Sequence, residues 1–202
     1  MTISVGDTAY SNCGYIEPLY NKDSMISLTR DRKNRAVYRV FSGDQKKLGR
    51  KRCYGERINL TEANAKLTPD GVTEFDNISK KGIVTKIVLR EYKNLLVKGR
   101  KSHSMKDKPV NYVKAEIYDL EGNKIYNNDL LICVSGKHRH QLTAKEVYKY
   151  YKSRFDIEHF FKFAKSKLRF DKLQTTDPDI DEDYCMFAMI AYNHLYLSLI
   201  HI

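Results

Sequence analysis

Seven short runs of β-branched and aromatic residues occupy the middle of this chain, between residues 36 and 137. Those runs are AVYRVF, ERINL, GIVTKIVLREY, LLVKG, VNYVKAEIYDL, NKIYNN and DLLICV. The turn-forming sequences PDG, KKG, KGRK and EGN separate them. Because β-branched and aromatic side chains favour strands and Gly, Pro and Asn favour turns, this segment predicts a meander of strands. We expect EGN to form a hairpin turn.

The start of the chain predicts a strand, a helix and a second strand. Residues 2–6 form a short apolar run that ends at Asp7, and MISLT at residues 25–29 predicts a second, buried strand. Between them, Ser11 or Asn12 can cap a helix. A strand–helix–strand unit of this length is typical of an α/β sheet.

The end of the chain predicts helices. Thr143 followed by Glu146 forms a capping box, and the apolar pattern after it continues through Leu168. After the polar break TTDPDIDED, a second apolar helix is predicted from about residue 184 to 196. An economical topology places the first and last parts of the chain in one α/β domain, with the strand-rich part inserted.

The chain is strongly basic. Its 202 residues carry 36 Lys and Arg against 25 Asp and Glu, a formal net charge of +11. Such a balance attracts polyanions, although a basic protein with solvated lysines is the simpler interpretation of charge alone. The clusters KKLGRKR at 46–52 and KGRKSHSMKDK at 98–108 lie in predicted loops. There we expect contact with the phosphates of a nucleic acid rather than recognition of its bases.

Cysteine spacing and hydropathy exclude several classes. The four cysteines, Cys13, Cys53, Cys133 and Cys185, form no CxxC pair, so neither a zinc site nor a disulfide framework is predicted. No apolar run approaches the roughly 20 residues that span a bilayer. We expect reduced thiols in a cytoplasmic protein.

Four polar side chains fall on one face of the helix predicted after Thr143: Tyr151, Arg154, Glu158 and Lys165. A carboxylate flanked by two cations and a phenol suits a helix that holds a metal ion and phosphates together. Taken alone, Glu158 is more simply a surface glutamate paired with Arg154 or Lys162. Asp7, at a predicted strand end, could be a metal ligand or the cap of a turn.

The spacing of those four residues resembles the Y-R-E-K signature of bacterial insertion-sequence transposases, the DDE transposases of the insertion-sequence-four type. Similar segments occur elsewhere, from about residue 2 to about residue 196: DTAY, LTRDRKNRAVYR, GRKRCYG and EHFFKFAKSKLRFDKLQTTDPDIDED. The resemblance implies an α/β fold, in which a partial ribonuclease-H-like catalytic domain is interrupted by a β-strand-rich insertion and followed by an α-helical C-terminal part. The implied segments are 1–35, with the second catalytic Asp; 36–137, the insertion; and 138–196, with the catalytic helix.

The same resemblance implies the site. Asp7 would be the second and Glu158 the third catalytic, metal-binding carboxylate of a two-metal centre for Mg²⁺ or Mn²⁺. Tyr151, Arg154 and Lys165 would bind DNA phosphates, since Arg offers a bidentate fork and Lys a point charge. The implied partners are double-stranded DNA, at transposon ends and at the target, and a second copy of the chain. The implied location is the bacterial cytoplasm, at the nucleoid.

One element of the family pattern is missing. The family's first Asp precedes the second, yet no acidic residue precedes Asp7, and Asp23, Asp31 and Asp44 come too late in the order. We therefore expect a truncated transposase that is inactive alone. The alternatives are a catalytically dead DNA-binding remnant and a ribonuclease-H-like nuclease without strand transfer.

Some features are less specific. His138 and His140 could contact DNA or steady a loop, and Phe155, Phe160 and Phe161 are expected in the core or at a domain interface. Residues 197–202, LSLIHI, are either an ordinary helix end or a non-native tail. The interpretation as a non-native tail depends on the match of these six residues to a translation of CTG TCT CTT ATA CAC ATC, a transposon-end sequence used as a sequencing adapter.

Overall fold

A computed structural model describes residues 1–60, 67–78, 82–100, 102–169 and 177–200, without the side chains of Ile157 and of residues 195–200. The chain forms two compact units, Met1–Lys152 and Ser153–Ile202. The predicted segment boundaries near residues 35 and 137 stay predictions, as does the tail at 197–202, whose side chains lie outside the described residues.

The first unit is built on an eight-stranded sheet. Its strands are β1 (Thr2–Gly6), β2 (Met25–Arg30), β3 (Val37–Val40), β4 (Tyr54–Ile58), β5 (Gly71–Ile78), β6 (Val84–Val97), β7 (Val110–Tyr118) and β8 (Leu130–Ser135). They are arranged in the order β1-β2-β8-β7-β6-β3-β4, and β5 pairs with β6 beside this path. β1 and β2 are parallel, and the other pairs within the described residues are antiparallel. The α/β class is confirmed, with a mostly antiparallel sheet.

The predicted strand–helix–strand start is present. Helix α1 (Cys13–Tyr20) connects β1 to β2, and the Asn12 side chain caps it by accepting a hydrogen bond from the Tyr15 N–H at 3.1 Å. The other predicted cap, Ser11, closes a short 3₁₀ turn at Thr8–Ser11. Since Gly6 pairs with Thr29, both parallel strands end at the same edge of the sheet, and Asp7 lies there.

The strand-rich middle is confirmed, with differences in detail. GIVTKIVLREY and LLVKG form the single strand β6, which bulges between Tyr92 and Leu95. At the bulge Asn94 has a φ of 54°, a left-handed conformation that Asn tolerates, and its N–H donates to the Asn111 side chain. The two predicted strands are therefore one continuous strand in the structure, because a bulge bends a strand without ending it.

The hairpin turn at EGN is confirmed, but the strand predicted after it is wrong. Gly122 takes a φ of 84° and its N–H donates to the Asp119 carbonyl at 3.2 Å. NKIYNN forms only an isolated bridge, between Tyr118 and Lys124. Strand β5, whose side chains are mostly exposed, was not among the predicted strands.

Helices cover both faces of the sheet. Successive side chains of a strand point to opposite faces, so neighbours such as Tyr112 and Val113 belong to different clusters. One cluster joins Ile16 of α1 to β6, β7 and β8, and includes Tyr92, Leu95, Val97, Tyr112, Leu131 and Cys133. The other joins the start of helix α2 (Ala144–Lys167) to the opposite face, and includes Ile26, Leu28, Leu89, Val113, Ile132, Val147 and Tyr151. Burial on both faces explains why β8, LLICVS, is a nearly continuous apolar run.

Helix α2 (Ala144–Lys167) begins at the predicted capping box. The Thr143 N–H donates to Glu146 Oε2 at 2.9 Å, and the Glu146 N–H donates to Thr143 Oγ1 at 3.3 Å. Each side chain thus satisfies a backbone donor of the other at the helix start.

Helix α3 (Pro178–Ile200) starts before the predicted residue 184, so the second half of TTDPDIDED is helix rather than a break. Asp177 accepts a hydrogen bond from the Asp179 N–H at 3.0 Å, and Pro178 takes the first helical position. Acidic residues in a first turn also favour the helix dipole, which explains why a polar run became a helix start. Residues 175 and 176 of that run lie outside the described part of the chain.

Aromatic packing holds the second unit together. The Tyr192 ring of α3 lies 4.8 Å from that of Phe160 and 5.5 Å from that of Phe163 on α2. Phe160 therefore packs as expected, whereas Phe155 and Phe161 are more than a third exposed. Among the helices described, none has both the length and the apolar character to cross a membrane.

Candidate functional site

Asp7 is exposed at the carboxyl end of β1. Its Oδ1 accepts a hydrogen bond from the Ala9 N–H at 2.8 Å, and its carbonyl accepts one from the Tyr10 N–H at 3.2 Å. Gly6 permits this tight turn, because a Cβ there would lie 2.7 Å from the Tyr10 Cβ. Asp7 is thus a turn cap, as one interpretation of the sequence held, and a solvent-facing carboxylate at a strand end.

Glu158 is an exposed residue of α2 and pairs with Arg154 one turn earlier. The Glu158 side chain is 55% exposed and that of Arg154 16%, with the guanidinium 4.8 Å from the centre of the Phe155 ring. Lys165 is exposed in the last turn. The simpler reading of Glu158, a local ion pair with Arg154, is therefore what the structure shows.

Tyr151 has a different environment from the rest of this helical face. Helix geometry places Tyr151, Arg154, Glu158 and Lys165 within about 60° of one another around the axis. Tyr151, however, is only 1% exposed and packs in the core of the first unit. Its ring therefore anchors the start of α2 to the sheet, and contact of its hydroxyl with a phosphate stays a prediction.

The carboxylates suit a hard metal ion, but they do not make a complete centre. Asp7 belongs to the first unit and Glu158 to the second. Across the part of the chain that the structure describes, no three His, Cys, Asp or Glu residues are grouped so as to hold a metal. Two-metal sites need several converging oxygen ligands. The described residues thus do not fit a two-metal centre by themselves.

Asp31 has a role that sequence reasoning missed. It follows β2 directly, is 5% exposed, and accepts a hydrogen bond at Oδ2 from the Tyr112 hydroxyl at 2.8 Å. The Arg32 N–H donates to Oδ1 at 2.8 Å, and Arg35 Nε lies 3.7 Å from Oδ2. Burial, reinforced by nearby charge, raises the pKa of Tyr112 well above its usual value. Asp31 therefore connects the end of β2 to β7. The sequence feature that could have indicated this role is an acidic residue directly after a predicted buried strand.

A second missed cluster lies on the sheet around Glu116. It accepts a hydrogen bond from Arg90 Nε at 2.9 Å, and Lys114 Nζ lies 3.3 Å from Glu116 and 3.1 Å from Asp129. Burial alone would raise the pKa of Glu116, but Arg90 and Lys114 together lower it. The alternation of Lys and Glu within an apolar strand was the signal for a charged stripe.

The two histidines before α2 steady their loop. His140 Nδ1 lies 3.3 Å from the Asn111 side-chain nitrogen, and His138 Nδ1 lies 3.3 Å from that of Gln141. Burial, followed by the charges of Arg139 and Lys93, lowers the pKa of His140. These contacts support the loop-steadying interpretation.

The sequence model of the transposase DDE domain family matches residues 2–194. No curated protein gives a significant match to the chain. The family match covers both units and includes Asp7 and all four residues of the helical face. Its members act in DNA transposition and DNA cleavage and generally depend on a divalent metal. The chain therefore belongs to the DDE transposase family.

Proposed function

We propose that this chain is part of an insertion-sequence transposase of the insertion-sequence-four type, which cleaves DNA at transposon ends and joins those ends to target DNA. The observation that carries the proposal is the family match over residues 2–194. It is joined by the exposed Glu158 and Lys165 and the partly buried Arg154 on one helix that begins in the core of the sheet. The parallel pair β1 and β2, joined by α1, supports a ribonuclease-H-like framework for Asp7.

In this proposal Asp7 and Glu158 are two of the catalytic carboxylates. Both are exposed, and Asp7 Oδ2 accepts no hydrogen bond from the described residues. Bound Mg²⁺ or Mn²⁺ would supply Lewis-acid activation of the nucleophile and the phosphodiester. By the family resemblance, a third carboxylate precedes Asp7 in the intact enzyme.

Arg154 and Lys165 would bind phosphates of the transposon end. Arg154 is held by Glu158 and by its stacking on Phe155, so its fork is oriented before DNA arrives. Lys165 is exposed and lies near the same face. Tyr151 would fix the helix that carries them. The intact enzyme would act on paired ends as a homodimer, at DNA in the bacterial cytoplasm.

The reaction consists of two displacements at phosphorus. In the first, water attacks a phosphodiester at the transposon end, a new P–O bond forms, and the P–O3′ bond breaks to leave a free 3′-hydroxyl. In the second, that hydroxyl attacks a phosphodiester of the target, and the displaced target 3′-oxygen takes up a proton. The number of phosphodiester bonds is conserved in the second step.

A second candidate is a DNA-binding remnant without catalysis. The observation that favours it is that, among the described residues, no three His, Cys, Asp or Glu side chains are grouped so as to hold a metal ion. Both candidates bind DNA, so binding does not separate them. A ribonuclease-H-like nuclease would cleave DNA but would not join a pre-cleaved end to a target.

The decisive experiment incubates a labelled duplex carrying the element's end with the protein and Mg²⁺ or Mn²⁺, with EDTA as the control. We expect no cleavage by the 202-residue chain alone. Once the chain is extended through the upstream reading frame, we expect cleavage and joining, both lost in Glu158→Gln. An extended protein that binds the duplex but never cleaves it would favour the remnant. Cleavage without joining would favour the nuclease.

A further inference from the structure

The two basic loops of the strand-rich region enclose one recess on the first unit. Its volume is about 670 Å³, and residues 50–54 and 98–100, with Ser104 and Lys106, contribute to its wall. Among the described side chains that line it, six are cations: Arg50, Lys51, Arg52, Lys98, Arg100 and Lys106. No described carboxylate lines it. The sequence placed both clusters in loops but gave no signal that the loops meet.

A second recess of about 680 Å³ lies beside the first. Lys98 and Arg100 line both, and Arg35 and His103 add to the wall of the second. Because the two recesses share these side chains, they form a continuous basic surface, which we call the basic recess pair.

The positive charge of the first recess is not compensated by nearby described carboxylates, whereas Arg35 of the second recess lies 3.7 Å from Asp31. Within the described residues, none of the six cations of the first recess lies within salt-bridge distance of a carboxylate. Asp44 and Asp107 belong to the same loops but do not line the recess. Glu17, behind the second loop, is paired with Lys108 and lies 3.6 Å from His103.

The wall is held in place by buried contacts. Met105 is fully buried, and a Cβ on Gly99 would lie 2.1 Å from the His103 carbonyl oxygen, so the second loop is closed tightly. In the first loop, Gln45 makes hydrogen bonds of 2.8 and 2.9 Å with the backbone of Arg52. The Arg52 guanidinium lies 4.8 Å from the centre of the Phe41 ring. The cations are therefore presented by an ordered surface.

We propose that the basic recess pair binds the phosphate backbone of duplex DNA, independently of its sequence, as a contact surface distinct from the face of α2. This inference rests on the proposed DNA partner and adds a second place where DNA is held. Uncompensated Lys and Arg side chains gain affinity from phosphates by releasing counterions. Single strands are bound by stacking bases on aromatic rings. Among the described side chains that line the first recess, only Tyr54 is aromatic. It packs against Tyr38 with ring centres 5.2 Å apart, which favours a duplex.

The test compares two variants that remove the same charge from the 202-residue chain. Arg50→Ala/Arg100→Ala removes two cations of the recess, and Lys46→Ala/Lys47→Ala removes two exposed cations of the first loop that do not line it. Dissociation constants for a duplex of arbitrary sequence are measured by fluorescence anisotropy over a range of salt concentrations. Thermal unfolding confirms that each variant is folded, and Arg50→Lys/Arg100→Lys tests retention of charge.

Each lost phosphate contact reduces the steepness of the plot of log association constant against log salt concentration by about 0.9. The Arg50→Ala/Arg100→Ala variant should therefore have a slope shallower by about 1.8 and bind the duplex at least roughly tenfold more weakly near 0.1 M salt. The loop control should lose much less, and the Lys variant should keep the slope. Equal losses in the recess and control variants, or no loss in the recess variant, would overturn the inference while leaving the transposase proposal intact. A wild-type chain that binds no duplex would overturn the proposed DNA partner as well.

Discussion

At the scale of single residues, Asp31 and Tyr112 show what chain order could and could not reveal. Order along the sequence excluded Asp31 as the missing first carboxylate, and the structure gives that carboxylate another role. Its oxygens are occupied by the Tyr112 hydroxyl and the Arg32 N–H, with Arg35 close by. The Tyr112 hydroxyl, 81 residues from Asp31 in sequence, could not be predicted as its partner, because their contact depends on the order of strands in the sheet.

Tyr112→Phe should destabilise the first unit. The substitution keeps the buried ring but removes a hydrogen bond to a charged acceptor, which costs about 1.5–3 kcal/mol. Urea unfolding followed by circular dichroism measures this change. Tyr126→Phe is the matched control, since Tyr126 is 59% exposed, and it should change stability by less than about 0.5 kcal/mol. Equal effects of both substitutions would contradict the role given to Asp31.

At the scale of elements, the features that could be predicted are those that depend on residues close in sequence. The strands 2–6 and 25–29, the Asn12 cap and the Thr143–Glu146 box were all visible, because each depends on residues close in sequence. That two predicted strands form the single strand β6 could not be predicted from local sequence. At the bulge, the Asn94 N–H needs the Asn111 side chain of the neighbouring strand β7 as its acceptor. The burial of Tyr151 was also hidden, because spacing fixes a helical face but not what that face meets.

Thr143→Ala should weaken the start of α2. It removes the hydroxyl that accepts from the Glu146 N–H and donates to Glu146 Oε2, and losing such a cap costs about 1 kcal/mol. Hydrogen exchange of the first-turn amides of α2 should quicken accordingly. Thr143→Ser keeps the hydroxyl and should restore protection. Unchanged exchange in the Ala variant would show that packing of Val147 and Tyr151 alone sets this helix start.

At the scale of the whole molecule, the sheet should lose stability in alkali. Burial raises the pKa values of Tyr92, Tyr112 and Tyr148 in the folded chain. When the chain unfolds, each returns to a pKa of about 10, so the unfolded state loses protons first. The stabilising contribution is present below about pH 10 and is lost as pH rises further. Urea midpoints that stay constant from pH 8 to 11 would contradict this expectation.

Family and architecture could be predicted from the sequence because the motif of α2 is local and the strand-rich texture is compositional. The spatial relation between the candidate metal ligands could not be predicted from the sequence. Asp7 and Glu158 are 158 − 7 = 151 residues apart and belong to different units. The basic recess pair could not be predicted either, because two loops distant in sequence meet there.

The proposal that cleavage requires both Asp7 and Glu158 is tested most directly by single-turnover cleavage of a transposon-end duplex. The protein, extended through the upstream reading frame, is compared with Asp7→Asn, Glu158→Gln, the double variant, and Glu182→Gln as an exposed acidic control on α3. Each single variant should lose at least about 100-fold in rate. The double variant should be no slower, because residues that act as a unit are not additive, and the control should retain its rate. Wild-type cleavage by Glu158→Gln or Asp7→Asn would contradict the account.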